Sequence, residues 1–416
     1  TPNIVHPVLA RIEGDPPGTK GISIFIVPKV RVNDDGSLGE PNDVNTGGIE
    51  HKMGIKGSAT ATLNFGENGK CIGELLGGER EGMKIMFQMM NEARLGTGMQ
   101  GLAAASAAYE HAVQYSKERV QGNDIMAGKD PKAKPVTIIN HPDIRRKLMW
   151  MKSHVEGMRS MCYFVGYCMD KSKVAKTEEE KANWEGFLDL MTTVVKAYCS
   201  DKALLVCSTA MDVYGGYGYC SEYPVEQYMR DEKIATIYEG TNGIQSLTLV
   251  GRSLGQRKGM NLMNLFGEIQ KNIKKMKEHK ELGKHTAILE EASNACLELT
   301  MFFVQAGKAG NFMLPILNAY KFMEIFGDVL IGHFLIEAAG LAAEKLDAVY
   351  KEKKADTAEK QKALNKENNE AAFYSGRVAS AKFFAVESLT TVKARCEAIK
   401  MDEKSPLEMT EEAFAV

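Results

Sequence analysis

The chain has 416 residues, enough for two or three domains. Its 52 basic and 54 acidic residues leave a net charge of −2, which argues against a polyanionic partner held by bulk charge. Eight scattered cysteines form neither a CxxC pair nor a Cys/His pattern at zinc spacing, so we expect reduced cysteines and no metal site. With no apolar run of membrane-spanning length and no signal peptide in view, we expect a soluble, cytoplasmic protein.

Residues 1–77 are predicted to be β-structure. Short β-branched runs at residues 5–12 and 21–27 flank a turn rich in Gly and Pro, and residues 60–65 alternate as a half-buried strand does. The chain begins with Thr and opens directly on strand-like residues. We therefore expect it to be the C-terminal part of a longer protein whose preceding portion carries part of the site.

From Glu79 onward the pattern is helical, and one apolar stripe is formed by Met83, Met86, Phe87 and Met90. Long stretches without proline suit a helical bundle, with a loop at residues 122–135 joining its first two long helices.

A second helical block starts near residue 258, with helices predicted at 262–280, 286–307, 314–351 and 368–401. The charged stretch 351–370 is expected to be a solvated connector or an exposed helix. No catalytic constellation lies in this block, and we interpret it as a packing or oligomerisation domain. The sequence thus predicts an α+β fold, mostly α, with domains at 1–77, 78–257 and 258–416.

The string Ile-Tyr-Glu-Gly-Thr-Asn-Gly-Ile-Gln at residues 237–245 places a lone carboxylate, Glu239, on a turn before a predicted helix start. Thr241 and Asn242 are good N-caps, and apolar residues follow at helical spacing: Ile244, Leu247 and Val250. A rigid, partly desolvated carboxylate there is suited to act as a general base. The alternative is a capped helix whose Glu is merely solvated, and these nine residues leave both interpretations open.

Several motifs occur in order along this part of the chain: DVYGGYGY at 212–219, EYPVE at 222–226, MRD at 229–231 and the string at 237–245. The set resembles the C-terminal signature of the flavin-dependent acyl-CoA dehydrogenases. Residues 91–96 resemble that family's substrate-side helix, 116–122 its flavin-contacting helix end, and 51–54 a strand of its middle sheet. Residues 141–146 and 242–245 are most similar to a larger bacterial branch with an added C-terminal helical domain, which includes the 3-methylthiopropanoyl-CoA dehydrogenases.

The resemblance implies an FAD-dependent enzyme that converts an acyl-CoA into the trans-2-enoyl-CoA. It also implies a homodimer or larger oligomer that passes electrons to an electron-transferring flavoprotein. Two alternatives stay open: an acyl-CoA oxidase that uses O₂, and a non-catalytic flavoprotein or scaffold with the same fold.

The resemblance also assigns roles to residues. Glu239 is the implied catalytic base. The implied substrate contacts are Asn91, Arg94, Tyr238 and Gly240, and the implied flavin contacts are Arg119, Gln121, His141, Asp212, Gly215, Gly216, Thr241 and Asn242. Structural alternatives are a salt bridge for Arg94, a plain helix C-cap for Gly215 and Gly216, and helix capping for Thr241 and Asn242.

Overall fold

The computed structural model describes residues 2–128 and 132–415, and it divides into two compact units, Thr1–Arg94 and Leu95–Val416. Most of the strands lie in the first unit and the second is mainly helical, which confirms the predicted α+β, mostly α, class.

The first unit is built from short antiparallel strands. Their bounds are β1 Val5–Arg11, β2 Ile22–Pro28, β3 Val30–Val32, β4 Leu38–Pro41, β5 Val44–Ile49, β6 Ala61–Phe65 and β7 Glu74–Leu75. Strand β2 lies between β1 and β7, while β3 pairs with β4 and β5 with β6. A buried amide ties these pieces together, since Asn42 donates to the carbonyls of Pro28 and Ile72, both at 2.8 Å.

The prediction of a strand at residues 51–54 is wrong. These residues lie in the loop between β5 and β6. The chain turns there because Ile55 has a left-handed φ of 48° and its carbonyl accepts a hydrogen bond from the Ser58 amide at 3.2 Å. Lys52 reinforces the loop by donating to the Ser58 carbonyl at 2.6 Å. An extended strand cannot include a β-branched residue in that conformation.

The helices have the bounds α1 Gly82–Glu118, α2 Pro142–Lys173, α3 Glu178–Tyr214, α4 Val225–Glu232, α5 Asn242–Gly251, α6 Met260–Met276, α7 Gly283–Lys308, α8 Met313–Leu317, α9 Ala319–Glu352, α10 Ala358–Glu367, α11 Asn369–Glu387, α12 Val392–Lys400 and α13 Ser405–Glu408. Two short strands, β8 Val120–Asn123 and β9 Pro135–Thr137, pair between α1 and α2. The ends of the predicted loop 122–135 are therefore a small hairpin, and residues 129–131 of that loop lie outside the described residues.

Two predicted helices are interrupted. The segment 314–351 breaks at Asn318, whose amide side chain donates to the Leu314 carbonyl at 3.0 Å and closes α8 before α9 begins. The segment 368–401 breaks between α11 and α12, where residues 389–391 form a 3₁₀ turn. The stretch 351–370 contains α10, whose described residues are all at least partly exposed.

A large hydrophobic core runs through the second unit, and α9 lies within it against α2, α7 and α11. The prediction that no segment is apolar enough to span a membrane is wrong for α9, which has the necessary length and composition. However, 83% of its most apolar stretch is buried inside the protein, as in the core helix of a globular fold. Close packing explains the burial, because a Cβ on Gly327 would lie 2.0 Å from the Tyr198 ring.

Residues on both sides of the predicted boundary near 257 contribute to this core, among them Leu254 and Leu262. The division of the helical region into domains 78–257 and 258–416 stays a prediction.

Candidate functional site

A cavity of about 570 Å³ opens in the second unit where α1 and α3 end. Its volume is typical of small-molecule sites. Most of the residues predicted to bind a flavin line it: Arg119, Gln121, His141, Asp212, Gly215 and Gly216. The wall also contains Tyr115, Tyr214 and Tyr217, which the sequence analysis did not single out.

Backbone hydrogen bonds hold Arg119 at the cavity rim. Helix α1 ends at Glu118, yet the Arg119 amide still donates to the Tyr115 carbonyl at 2.8 Å, and its own carbonyl accepts from Ile138 at 2.8 Å. The exposed guanidinium lies 5.3 Å from the centre of the Tyr217 ring. A cation in this geometry remains available to an anionic ligand.

The Gly-Gly turn leaves an open space in the cavity wall. Helix α3 ends at Tyr214, and Gly215 follows with a left-handed φ of 62°, which favours glycine. A Cβ added to Gly215 or Gly216 would meet no protein atom within 4 Å. The space in front of this backbone is therefore free for a ligand.

Tyrosine rings form an apolar part of the cavity wall. Tyr115 and Tyr214 stack with ring centres 4.0 Å apart and planes at 15°, and burial raises the pKa of both phenols. Tyrosines flanking a Gly-Gly pair are the sequence signal that would have identified this wall.

His141 and Asp212 complete the cavity. The His141 ring is half-buried and its Nε2 makes a 2.7 Å hydrogen bond with the Gln121 carbonyl, which joins the start of α2 to strand β8. The Asp212 carboxylate is exposed in the wall. A carboxylate in this position disfavours phosphate and suits a hydroxyl group.

The second group of predicted residues lies on the turn before α5. Glu239 is half-buried with a left-handed φ of 58°, and Gly240 follows with a φ of 83°. A non-glycine residue in this conformation costs about 1–3 kcal/mol, so the surrounding structure must hold it. Thr241 is the N-cap, and its hydroxyl accepts from the Ile244 amide at 3.2 Å.

Helix α5 buries a polar face. Ile244 and Leu247 are 52% and 39% exposed, whereas Asn242, Gln245 and Ser246 are buried. Of the apolar residues that mark the helix in the sequence, Ile244 and Leu247 are exposed, whereas Val250 packs against the core beside the fully buried Leu249. Asn242 bonds to α3, whereas the Gln245 amide donates to the Glu239 carbonyl and the Ser246 hydroxyl to the Asn242 carbonyl.

A buried network beneath the turn connects α5 to α3. The Lys196 ammonium donates to the Gly240 carbonyl and to Asn242 Oδ1, both at 2.7 Å. The Asn242 amide donates to the Ala197 carbonyl at 3.1 Å and to the Ser200 hydroxyl at 2.9 Å. The Asn242 side chain is therefore directed into the bundle rather than into the cavity, and only its backbone remains for the predicted flavin contact.

The sequence analysis missed Lys196, although its position among apolar residues at 190–199 is a usable signal. It also missed Glu232, which lies in a charged run that resembles a solvated helix face. Glu232 is fully buried, and neither of its oxygens accepts a hydrogen bond from the described residues. Burial raises its pKa to about 8, against the opposing effect of the Lys196 charge.

The predicted substrate residues fall into two places. The half-buried Tyr238 adjoins Glu239 and donates its hydroxyl to Gln100 Oε1. Burial raises the pKa of this phenol. Asn91 and Arg94 lie one helical turn apart on α1, in the first unit, with the guanidinium 3.5 Å from Asn91 Oδ1.

Two family models match the sequence. Residues 80–254 match "Acyl-CoA dehydrogenase, C-terminal domain", and residues 265–410 match "Acetyl-CoA dehydrogenase C-terminal like". Over 99% of its length the chain is 39% identical to a butyryl-CoA dehydrogenase of Syntrophomonas wolfei, covering 65% of that protein. It is 34% identical over 99% of its length to the broad-specificity linear acyl-CoA dehydrogenase FadE5 of Mycobacterium tuberculosis, covering 66% of it. The chain therefore spans slightly less than two thirds of the length of these two curated relatives.

Solved structures show the same fold. The Caenorhabditis elegans protein ACDH-11 in complex with C11-CoA matches 98% of the chain with a TM-score of 0.74 and 20% identity, over 60% of that protein. An acyl-CoA dehydrogenase from Bacillus anthracis complexed with FAD matches 98% of the chain with a TM-score of 0.69 and 22% identity, over 63% of that protein.

Proposed function

Because the chain belongs to the acyl-CoA dehydrogenase family, we propose that it carries the catalytic base and part of the FAD site of an acyl-CoA dehydrogenase. The observation that carries this proposal is the turn at Glu239, where a half-buried carboxylate sits in a strained backbone conformation that neighbouring side chains hold. Such strain is typical of functional positions rather than of solvated helix caps.

The reaction converts the bond between the α and β carbons of an acyl thioester into a double bond. A base removes the α-proton, and the β-hydrogen leaves as hydride. Glu239 is the proposed base and takes the proton on its carboxylate. No amino-acid side chain accepts a hydride, and FAD, when bound, supplies the acceptor.

The cavity residues fit the nucleotide part of FAD. Arg119 offers a guanidinium suited to phosphate oxygens, and the open Gly215–Gly216 backbone allows a ligand to approach closely. The stacked Tyr115 and Tyr214 rings add an apolar wall. Asp212 is assigned to a hydroxyl group, because a carboxylate beside phosphate is repulsive.

The finer parts of the proposal concern substrate and partners. Asn91, Arg94, Tyr238 and Gly240 are proposed to contact the acyl-CoA, and electrons are proposed to pass to an electron-transferring flavoprotein in the cytoplasm. The relatives include dehydrogenases named for butyryl-CoA, linear acyl-CoA and 3-methylmercaptopropionyl-CoA. The proposed substrate is therefore an acyl-CoA thioester, and the proposal does not specify the length of its acyl chain. A homodimer or larger assembly is part of the same proposal.

An anaerobic titration tests the proposed function. The full-length protein with bound flavin is titrated with acyl-CoA thioesters of increasing length, and the flavin absorbance is followed. Bleaching by at least one acyl-CoA is expected. If no thioester in the panel reduces the flavin, the chain is a non-catalytic member of the fold and the proposal fails.

The electron acceptor is tested on the reduced protein. We expect rapid reoxidation by electron-transferring flavoprotein and slow reoxidation by O₂. Stoichiometric hydrogen peroxide at a rate that matches turnover would instead assign the protein to the acyl-CoA oxidases.

A further inference from the structure

Lys196 lies under the turn that carries Glu239. It is fully buried in α3, and its ammonium donates at 2.7 Å to the carbonyl of Gly240, the residue that follows Glu239. The second acceptor, Asn242 Oδ1 at 2.7 Å, belongs to the first residue of α5. Both bonds join α3 to the segment between Glu239 and the helix start.

This position is unfavourable for a cation in two ways. Removing an ammonium from water is costly even when hydrogen bonds compensate it. In addition, Lys196 contacts the N-terminal end of α5, where the helix dipole is positive and disfavours a cation. An apolar side chain of similar length would fill the same space without either cost. It would, however, remove the donor from the Gly240 carbonyl and from Asn242 Oδ1, so the lysine at this position is tied to the turn that it bonds to.

Two hydrogen bonds, one from Lys196 and one from Gln245, hold the backbone carbonyls of the turn. Lys196 holds the Gly240 carbonyl, and the buried Gln245 amide donates to the Glu239 carbonyl at 3.2 Å. Successive peptide planes on the two sides of Gly240 are thus held from within the bundle. The residue with the left-handed φ of 58°, Glu239, is therefore held on its C-terminal side.

Asn242 makes this arrangement specific. Its Oδ1 accepts from Lys196, while its Nδ2 donates to the Ala197 carbonyl and to the Ser200 hydroxyl. The amide is therefore anchored on both sides, and Lys196 has one defined location for its charge.

We propose that Lys196 is a positioning residue that holds the Glu239 turn in the conformation in which its carboxylate can remove the α-proton. The inference rests on the proposed function, which it extends to a residue on a different helix. Lys196 acts through the Gly240 carbonyl and does not itself touch the substrate.

The test replaces the ammonium with an apolar group of similar length. In Lys196→Met, we expect kcat to fall roughly 10- to 100-fold while KM for acyl-CoA changes less than about threefold, because a misplaced base raises the transition-state barrier without weakening binding. Flavin content should match that of the wild type. Lys196→Gln keeps a neutral donor and should show a smaller loss of kcat in the same direction.

The matched control is Tyr198→Phe, on the same helix and equally buried. It removes the hydrogen bond to Asp328 at 2.6 Å, in the core and away from the turn. We expect a lower melting temperature with an unchanged kcat. If Tyr198→Phe and Lys196→Met lower kcat equally, the effect is general destabilisation and the inference is overturned.

Amide hydrogen exchange gives a readout that needs no turnover. Peptides covering residues 234–245 should exchange faster in Lys196→Met than in the wild type, and at the wild-type rate in Tyr198→Phe. Unchanged exchange in Lys196→Met overturns the inference. If no acyl-CoA reduces the wild-type flavin, the proposed function fails, while the exchange comparison still decides whether Lys196 holds the turn.

Discussion

The second unit contains two polar regions that differ in solvent exposure: the cavity near Arg119 and the buried network beneath the Glu239 turn. In the cavity, Arg119 and Asp212 are exposed, and the Gly215–Gly216 backbone faces space that no protein atom fills. Beneath the turn, Lys196 and Asn242 are at most 3% exposed and bond to the protein itself. Polar groups that are left open can bind a ligand, whereas polar groups that are buried and satisfied define backbone geometry.

The largest expected effect is the loss of activity when the Glu239 carboxylate is replaced by an amide of the same size. Glu239→Gln preserves size and removes the base, so kcat should fall by about 10²–10⁴ while flavin content and acyl-CoA affinity stay unchanged. Steady-state kinetics and flavin absorbance measure this. Glu222→Gln, an exposed carboxylate on the same stretch of chain, is the control and should have wild-type activity. Activity within threefold of wild type in Glu239→Gln would remove Glu239 from the mechanism.

The next effect tests the open cavity. Arg119→Met should raise the Kd for FAD by about 10- to 100-fold, since a charge-assisted hydrogen bond contributes about 1.5–3 kcal/mol. Equilibrium titration of the flavin-free protein gives the Kd. Lys117→Met removes another exposed cation near the end of α1 and should leave it unchanged. Equal weakening in both variants would indicate a diffuse charge effect rather than a built contact.

A third prediction uses the buried acid beside the network. Burial raises the pKa of Glu232 from 4.5 to about 8. Between these values the folded protein keeps the proton that the unfolded chain has lost, so the contribution of Glu232 to stability is complete below pH 4.5 and is lost as the pH rises towards 8.

In Glu232→Gln this dependence should disappear. The free energy of unfolding of the wild type should decline with pH relative to the variant by up to about 1.4 kcal/mol per pH unit. Thermal or denaturant unfolding at several pH values between 5 and 8 measures the difference. Parallel pH curves for the two proteins would show that Glu232 does not change its protonation on unfolding.

The smallest effect concerns Asp212. Asp212→Asn keeps an acceptor for a hydroxyl group and removes an exposed charge, so the Kd for FAD should change less than about threefold. The same titration applies. A tenfold tighter Kd in the variant would place the carboxylate against a phosphate and refute its assignment to a hydroxyl.

Local chemistry explains what could be predicted. The start of α5 follows from a Thr N-cap, and the end of α3 follows from Gly215, because capping and left-handed glycine depend on neighbouring residues only. The secondary-structure prediction failed where the backbone conformation depends on a specific side-chain hydrogen bond. The loop at 51–54 and the break at Asn318 are both set by side chains that bond to backbone carbonyls several residues away.

The sequence by itself determined the family, the α+β class, and the order of motifs around Glu239, because each of these is written in contiguous residue patterns. Only the tertiary structure decided which polar residues are buried. The bond from Lys196 to Gly240 spans 44 positions of the chain, and the burial of Glu232 depends on elements that no local pattern specifies. Burial results from the packing of distant segments. It distinguishes Lys196, a buried cation that holds a turn, from Arg119, an exposed cation that is available to a ligand.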